Sequence, residues 1–254
     1  MRLKLIACKA LYREISYLSA VSDNFIDVTY IRQGFHETPK ILTKVLQEEI
    51  DHVESGDDRY TYRSYIGHRD FDAILLGYGL CSNGVLTLHS ERIPLVIPKA
   101  HDCITLFLGS RERYDEEFSK NPGTYWYNPS WIENANVPSA ENAEDIIAGY
   151  AERYGEENAE FLYETEMLHN YSRCAYINWP ELPCPKYEKF TEDAAEYLGW
   201  EYSLVNGSSA LMKDFLDGSW DDRFLIVHPG ETVAADYDGD EVIKAVPYKK
   251  EDAE

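Results

Sequence analysis

The chain has 254 residues, of which 44% are hydrophobic and 13% aromatic, which is enough for a folded core and argues against disorder. Its 46 acidic and 24 basic residues give a net charge of −22 that repels phosphate backbones and anionic lipids, so we expect neither nucleic-acid binding nor membrane adhesion. No apolar run approaches the ~18 residues of a membrane span, and five cysteines in a chain of this size indicate reduced thiols and a cytoplasmic protein.

The first half of the chain predicts alternating strands and helices. Four segments have the apolar or β-branched composition of strands: LKLIAC (3–8), FIDVTYI (25–31), FDAILLGYG (71–79) and IPLVIPKA (93–100). A first helix is predicted over 9–22, and a second over 39–53 with Thr38 as its N-cap and Pro39 at its first position. The apolar face predicted for the second helix carries Ile41, Val45 and Ile50.

The composition changes from about residue 110 onwards. The run GTYWYNPSW (123–131) predicts either an aromatic cluster under a loop or an aromatic wall for a flat ligand. Further along, the pattern predicts a long helical segment divided near Gly155, another helix, a strand at 201–207, a helix and a final strand at 223–230. The polar, acidic tail that follows is expected to fray at its end.

This order of elements predicts an α/β fold: a doubly wound, mostly parallel sheet with a helical insertion and a second small α/β lobe. We assign residues 1–110 to an N-terminal α/β half that carries the candidate site. Residues 111–254 then contain the aromatic loop, the helical segment and a C-terminal α/β half. The alternative is one continuous domain.

Cysteine and histidine residues follow several of the predicted strands. Ligands gather beyond the carboxyl ends of the strands in open α/β sheets, so we expect these side chains at one edge: Cys8, His36, Cys81, His101, Cys103 and His228. Thiolate and imidazole ligands suit Zn²⁺ or iron, and three cysteines with one histidine are a known zinc set.

The sequence therefore predicts a metal site, zinc or alternatively iron, formed by Cys8, Cys81, His101 and Cys103, with His36 as an alternate ligand. Asp102 would cap the following helix or orient an imidazole. For any single cysteine, packing in the core is the alternative.

The turn GYGLCSNG (77–84) supports a second interpretation without a metal. We expect its backbone N–H groups to lower the pKa of Cys81, which would be a nucleophile with His101 as its base. The small and polar residues of the turn could also let the backbone approach a bound cofactor: Gly77, Gly79, Ser82, Asn83 and Gly84. The alternative is a tight turn that requires glycine.

Six stretches together resemble one known family: LIACKALYREI, ILLGYGLCSNG, IPLVIPKAHDCITLFLGS, GTYWYNPSWI, YGEENAEFL and DGSWDDRFLIVHPGE. The family is the bacterial and archaeal one catalogued as domain of unknown function 1638, and the likeness spans about residues 3 to 231. Members are often encoded near corrinoid-dependent methyltransferase systems, so the resemblance implies a one-carbon or corrinoid setting but no residue roles. The His101-x-Cys103 spacing with a distant cysteine is also similar to zinc-dependent methyltransferases that methylate thiols.

These observations predict a cytoplasmic metal-binding protein that takes part in methyl or one-carbon transfer. Its expected ligand is a small molecule or cofactor, with a corrinoid or a pterin among the candidates, and its expected partner is a corrinoid protein or a methyltransferase. Two alternatives stay open: a non-catalytic cofactor-binding or accessory module, and a metal-free cysteine-dependent enzyme.

Overall fold

The computed structural model describes residues 1–56, 70–81, 83–237, 239 and 241–249. The chain forms two compact units, of which the first comprises Met1–Leu106 with Ala210–Glu254 and the second comprises Phe107–Ser209. The first unit is therefore built from two stretches of sequence, one before and one after the second unit.

Strands and helices alternate along most of the described chain. The strands are β1 (Arg2–Cys8), β2 (Phe25–Ile31), β3 (Ala73–Gly77), β4 (Leu95–Pro98), β5 (Thr124–Tyr127), β6 (Arg173–Asn178), β7 (Glu201–Asn206), β8 (Phe224–Val227), β9 (Glu231–Asp236) and β10 (Val242–Pro247). The α-helices are α1 (Tyr12–Val21), α2 (Pro39–Ser55), α3 (Cys103–Leu108), α4 (Arg111–Lys120), α5 (Pro129–Asn134), α6 (Ala143–Tyr154), α7 (Glu156–Leu162), α8 (Pro185–Leu198) and α9 (Ala210–Asp217). Shorter helical turns cover Lys9–Leu11, Phe35–Glu37 and Tyr163–Leu168.

The first unit is organised around a five-stranded sheet with the order β2-β1-β3-β4-β8. The strands β1 to β4 run parallel, whereas β8 pairs antiparallel with β4 and places Val227 opposite Leu95. A mixed α/β fold with a mostly parallel central sheet confirms the predicted fold class. Because β8 is antiparallel, its carboxyl end lies at the opposite edge of the sheet from the ends of β1 and β3. The expectation that His228 joins the thiols at one edge is therefore wrong.

Hydrophobic burial positions α2 on this sheet. Alternate residues of a strand point to the same face, and here they form one buried cluster with α2: Ile6, Ile74, Leu76 and Ile97 from the strands, and Leu42, Leu46 and Ile50 from the helix. Thr38 and Pro39 begin α2 as predicted, although the Thr38 side chain makes no capping hydrogen bond. The predicted apolar face is only partly right, because Ile41 is 49% exposed and Leu42 is buried instead.

The end of the chain returns to the first unit as β8 and the antiparallel pair β9 and β10. Val233 and Ile243 are buried in the same cluster as α2, so apolar packing attaches β9 and β10 to the first unit. No strands were predicted here, since the acidic run DYDGDE (236–241) dominates the composition of this segment.

The second unit has its own parallel sheet, in the order β5-β6-β7. Its core combines aromatic side chains from the run at 123–131 with those of later elements: Tyr125, Tyr127, Trp131, Tyr176 and Trp200. The aromatic-cluster interpretation is confirmed, whereas the strand β5 within that run was not predicted. Among the described residues, every helix is too short or too polar to traverse a lipid bilayer.

Candidate thiol site at the carboxyl edge of the first sheet

The strand order changes direction between β1 and β3. From β1 the chain moves outward to β2 and then crosses to β3 on the other side of β1, and such a change of direction is where ligands bind in open α/β sheets. Cys8 is the last residue of β1, and the register pairs Ala7 with Gly77, the last residue of β3. Tyr78 therefore follows β3 beside the position of Cys8.

Backbone hydrogen bonds join the loop after β3 to the loop after β4. The Leu80 N–H donates to the Ala100 carbonyl at 2.8 Å, and the Cys81 N–H donates to the His101 carbonyl at 3.1 Å. A Cβ at Gly79 would lie 2.8 Å from the Ala100 oxygen and 2.8 Å from the Asp102 nitrogen, so this approach requires glycine. The two loops thus hold Cys81 close to the start of α3, where Cys103 is the first residue.

Cys81 lies in a tight turn with an unusual backbone. Its φ is 46° and that of Asn83 is 73°, both in the left-handed region, which costs a non-glycine residue roughly 1–2 kcal/mol. The Gly84 N–H closes the turn by donating to the Cys81 carbonyl at 3.1 Å. Ser82, predicted to contact a cofactor, lies outside the described residues, and the Asn83 side chain is exposed.

The remaining glycines of the turn are explained by close packing against the protein itself. A Cβ at Gly77 would lie 2.6 Å from the Ala7 Cβ, and one at Gly84 would overlap the Leu42 side chain. Close packing therefore explains these two glycines, whereas the positive φ angles of the turn belong to Cys81 and Asn83.

Asp102 caps α3, as the sequence predicted. Its Oδ1 accepts hydrogen bonds from the Ile104 N–H at 2.9 Å and the Thr105 N–H at 3.3 Å. These N–H groups belong to the first turn of the helix, where no backbone carbonyl is available to them. The cap fixes a carboxylate immediately before Cys103.

The three thiols Cys8, Cys81 and Cys103 lie within electrostatic reach of one another. Burial, together with the neighbouring Cys8 and Asp102, raises the pKa of Cys81 to about 12, against a hydrogen bond from the Gly79 backbone. Burial, followed by Asp102 and the other two thiols, raises the pKa of Cys103 well above its usual value. Burial also raises the pKa of Cys8, although the Ala10 backbone opposes it. The expected lowering of the Cys81 pKa is therefore wrong: without a metal, all three thiols are protonated near neutral pH.

The two histidines of the predicted site contribute less directly. The His101 side chain is exposed, and its backbone carbonyl is the group that receives the Cys81 N–H. His36 lies in the turn Phe35–Glu37 after β2, and its neighbour Phe35 packs against the same core cluster as Cys8 and Cys81. Within the described ranges, no three His, Cys, Asp or Glu side chains stand ready as a metal-binding group.

Tyr78 is a residue of this edge that the sequence analysis missed. Its side chain is 4% exposed and belongs to the core cluster that Cys8 and Cys81 contact. Its hydroxyl has no hydrogen-bond partner among the described residues. The available signal was a tyrosine between two glycines at the end of a continuously apolar strand, where an aliphatic residue would suffice for packing.

Comparison with known proteins gives one match. The model of the family described as Protein of unknown function (DUF1638) matches residues 30–216. No curated protein and no solved structure matches the chain. The matched range includes β3, β4 and α3, and thus Tyr78, Cys81 and Cys103.

Proposed function

The chain belongs to the family described as Protein of unknown function (DUF1638), and from that premise we propose that it binds a transition metal, zinc in the first instance, through the thiolates of Cys8, Cys81 and Cys103. His101 would be the fourth protein ligand or leave that position open to a substrate, with His36 as the alternate ligand. Iron is the second candidate, because thiolate and imidazole ligands suit both metals.

One observation carries the proposal: three neighbouring parallel strands, β1, β3 and β4, each deliver a cysteine at or just after their carboxyl ends. The hydrogen bonds from Leu80 to Ala100 and from Cys81 to His101 keep two of these cysteines together. Core packing explains a single buried thiol, but it does not explain why the ends of three neighbouring strands each carry one, close enough for Cys8 to raise the pKa of both Cys81 and Cys103.

The raised pKa values mean that a metal would have to displace protons from these three sulfurs. A coordinating thiol is deprotonated outright, so binding would release protons from Cys8, Cys81 and Cys103. Because the three side chains do not stand ready as a metal-binding group, binding would require them to take other staggered positions about their Cα–Cβ bonds.

We further propose that such a centre serves methyl or one-carbon transfer, either as a methyltransferase or as an accessory protein for a corrinoid-dependent system. Thiolate-bound zinc supplies an activated sulfur nucleophile. The protein's own part would be to exclude water at this edge with buried apolar neighbours such as Leu76 and Ile97, and to orient the ligands through the paired loops. Five free cysteines favour the cytoplasm as its compartment.

Metal content tests the proposal directly. Protein purified under reducing conditions with ample zinc should contain about one metal ion per chain, and Cys103→Ser should lose it. Cys184→Ser is the matched control, because Cys184 is also partly buried but lies in the second unit, before α8. Elemental analysis measures both. Metal-free wild-type protein, or equal loss from Cys184→Ser, would contradict the proposal.

A metal-free thiol enzyme is the second candidate, and the left-handed backbone of Cys81 favours it, since strained residues cluster at active sites. Its weakness is a Cys81 pKa of about 12, which leaves only about one thiol in 10⁵ ionised at pH 7. Iodoacetamide that modifies Cys81 selectively at pH 7 in metal-free protein would favour this candidate over the metal site.

A further inference from the structure

One edge of the first sheet is formed by β2, which lies beside β1 in the order β2-β1-β3-β4-β8. Its seven residues pair in parallel with Arg2–Cys8 on one side. In the part of the chain that the structure describes, no strand pairs with its other side. Alternate backbone N–H and C=O groups of a strand point to opposite sides, so about half of those in β2 are directed outward and can pair with a further strand.

This edge lacks the usual protection against pairing with another chain. Edge strands are commonly shortened, bent by bulges, or interrupted by proline or lysine. The sequence of β2, FIDVTYI, contains no proline, glycine or lysine, and all seven residues are in register with β1, whereas β8 at the opposite edge has only four residues. The one charged residue of β2, Asp27, is ion-paired with Lys4 of β1, so its charge is already balanced within the chain.

The apolar side chains of β2 are incompletely buried. Ile31 is the one buried residue of the strand, and Phe25 is 49% exposed. In the neighbouring strand β1, by contrast, Leu3, Leu5 and Ile6 are fully buried. A further strand at this edge would therefore remove apolar surface from water as well as pair the outward backbone groups.

A second copy of β2 fits this edge in an antiparallel register centred on Val28. A two-fold axis through Val28 places this residue opposite the partner's Val28 and pairs all seven residues of each strand. The other opposed pairs are Phe25 with Ile31, Ile26 with Tyr30, and Asp27 with Thr29. The first two combine an aromatic with a β-branched side chain, which is a favourable cross-strand pair, and in the third the carboxylate faces a hydroxyl.

The other symmetric registers fit less well. Directly opposed residues of an antiparallel pair point to the same face of the sheet, so the two-fold axis must pass through a residue. An axis through Asp27 would set the two Asp27 carboxylates directly opposite each other, which is destabilising. An axis through Ile26 or Thr29 would leave several residues of each strand without a partner. Charge and length therefore both select Val28.

We propose that the protein forms a homodimer in which two copies of β2 pair antiparallel about Val28 and join the two five-stranded sheets into one continuous sheet. This inference does not depend on the proposed metal site. The net charge of −22 on each chain opposes association, and dissolved salt screens such repulsion. The dimer should consequently become tighter as the ionic strength rises.

Opposite charges introduced at one position test this interface. Thr29→Asp places a carboxylate opposite the partner's Asp27 twice in each dimer, whereas the matched control Thr29→Lys places an ammonium group there. Sedimentation velocity over a range of concentrations measures the mass, and circular dichroism checks the folding of both variants. We expect wild type and Thr29→Lys to sediment at twice the chain mass, and Thr29→Asp to have a dimer Kd raised at least about tenfold.

A crosslink tests the same register without adding charge, and it decides the question if Thr29→Asp does not fold. Directly opposed Cα atoms of antiparallel strands are about 4.5–5.5 Å apart, which is within the range of a disulfide. Val28→Cys should therefore give a disulfide-linked dimer on mild oxidation. Ile26→Cys is the matched control, because it is also partly buried and lies on the same face of β2, but is about 13 Å from its counterpart in this register.

Non-reducing electrophoresis separates the linked dimer from the single chain. A crosslink in Val28→Cys that is absent from Ile26→Cys supports the inference, as does dissociation of Thr29→Asp but not of Thr29→Lys. Wild type that sediments as a monomer at every concentration would overturn it. A folded Thr29→Asp that dimerises as tightly as wild type, or equal crosslinking of the two cysteine variants, would also overturn it.

Discussion

Glu54, near the end of α2, binds the loop that leads into β4. Its carboxylate accepts hydrogen bonds from the Ser90 hydroxyl and from the N–H groups of Glu91, Arg92 and Ile93, at 2.6–3.0 Å. Burial raises the pKa of Glu54, but these donors together outweigh it and hold the pKa below its usual value. One ionised carboxylate thus organises a turn that would otherwise have unpaired N–H groups.

We expect Glu54→Gln to destabilise the protein by about 1 kcal/mol at pH 7, at the low end for hydrogen bonds to a charged group because solvent screens this partly exposed carboxylate. The pKa of Glu54 is lower in the folded state than in the unfolded chain, where it is about 4.3. Ionised Glu54 therefore stabilises the folded protein at pH values above 4.3, and this stabilisation is lost as the pH falls through the folded-state pKa. Urea denaturation should show a smaller loss at pH 3.5 than at pH 7. Equal losses at both values would contradict it, and Glu91→Gln, an exposed neighbour, serves as the control.

Individual residues show how far the site could be predicted. Positions at strand ends could be inferred from the sequence, and three thiols do lie there. The protonation state of the thiols could not be inferred from the sequence. Burial and charge repulsion, which raise the pKa of Cys81, depend on neighbours distant in sequence, and they outweigh the local N–H groups of the turn. Tyr78 was missed for a related reason: an unpaired hydroxyl is visible only when all of its neighbours are known.

At the scale of elements, the short helix α3 combines a structural and an electrostatic role in Asp102. The capping role depends on an acceptor oxygen, whereas the rise in the pKa of Cys103 depends on the negative charge. Asparagine retains the acceptor and removes the charge, so two substitutions at one position can separate the roles.

We expect Asp102→Ala to cost about 1 kcal/mol of folding free energy and Asp102→Asn to cost a few tenths at most. Asp102→Asn should nevertheless lower the pKa of Cys103 and speed its alkylation at pH 8–9, because a repelling charge is removed. Denaturant titration and site-resolved alkylation measure the two effects. If asparagine destabilises as much as alanine, or leaves the Cys103 rate unchanged, the separation of roles is incorrect.

The elements most accurately predicted are those whose apolar residues follow a simple period. The strands β1, β3 and β4 are of this kind, since their residues are buried regardless of which strand pairs with which. The direction and the partner of β8 could not be predicted from the sequence, because a strand of the same composition can pair parallel or antiparallel. The strands β9 and β10 lie on either side of the acidic run DYDGDE (236–241), and the burial of Val233 and Ile243 depends on a cluster formed mainly by the first hundred residues.

At the scale of the whole molecule, the site links stability to pH and to metal. All three thiols belong to the first unit, and each has a pKa raised by folding. A thiol whose pKa is higher in the folded protein than in the unfolded chain stabilises the folded protein fully at pH values below the unfolded pKa, about 8.5 for cysteine. This stabilisation is lost as the pH rises through the folded-state pKa. Metal-free protein should therefore lose stability above about pH 8.5, and for Cys81 the loss extends to about pH 12.

Zinc should reverse this dependence, because a metal binds the deprotonated sulfurs and competes with protons. At a free zinc concentration about one hundred times the Kd, binding adds about 2.7 kcal/mol, which corresponds to a rise in Tm of about 5–10 °C for a chain of this size. The rise should be larger at pH 8 than at pH 6, since fewer protons must be displaced. Calorimetry with and without zinc measures it, and hydrogen exchange should locate the added protection in the first unit. A rise that is independent of pH, or that persists in Cys103→Ser, would show that zinc stabilises the protein elsewhere than at the three thiols.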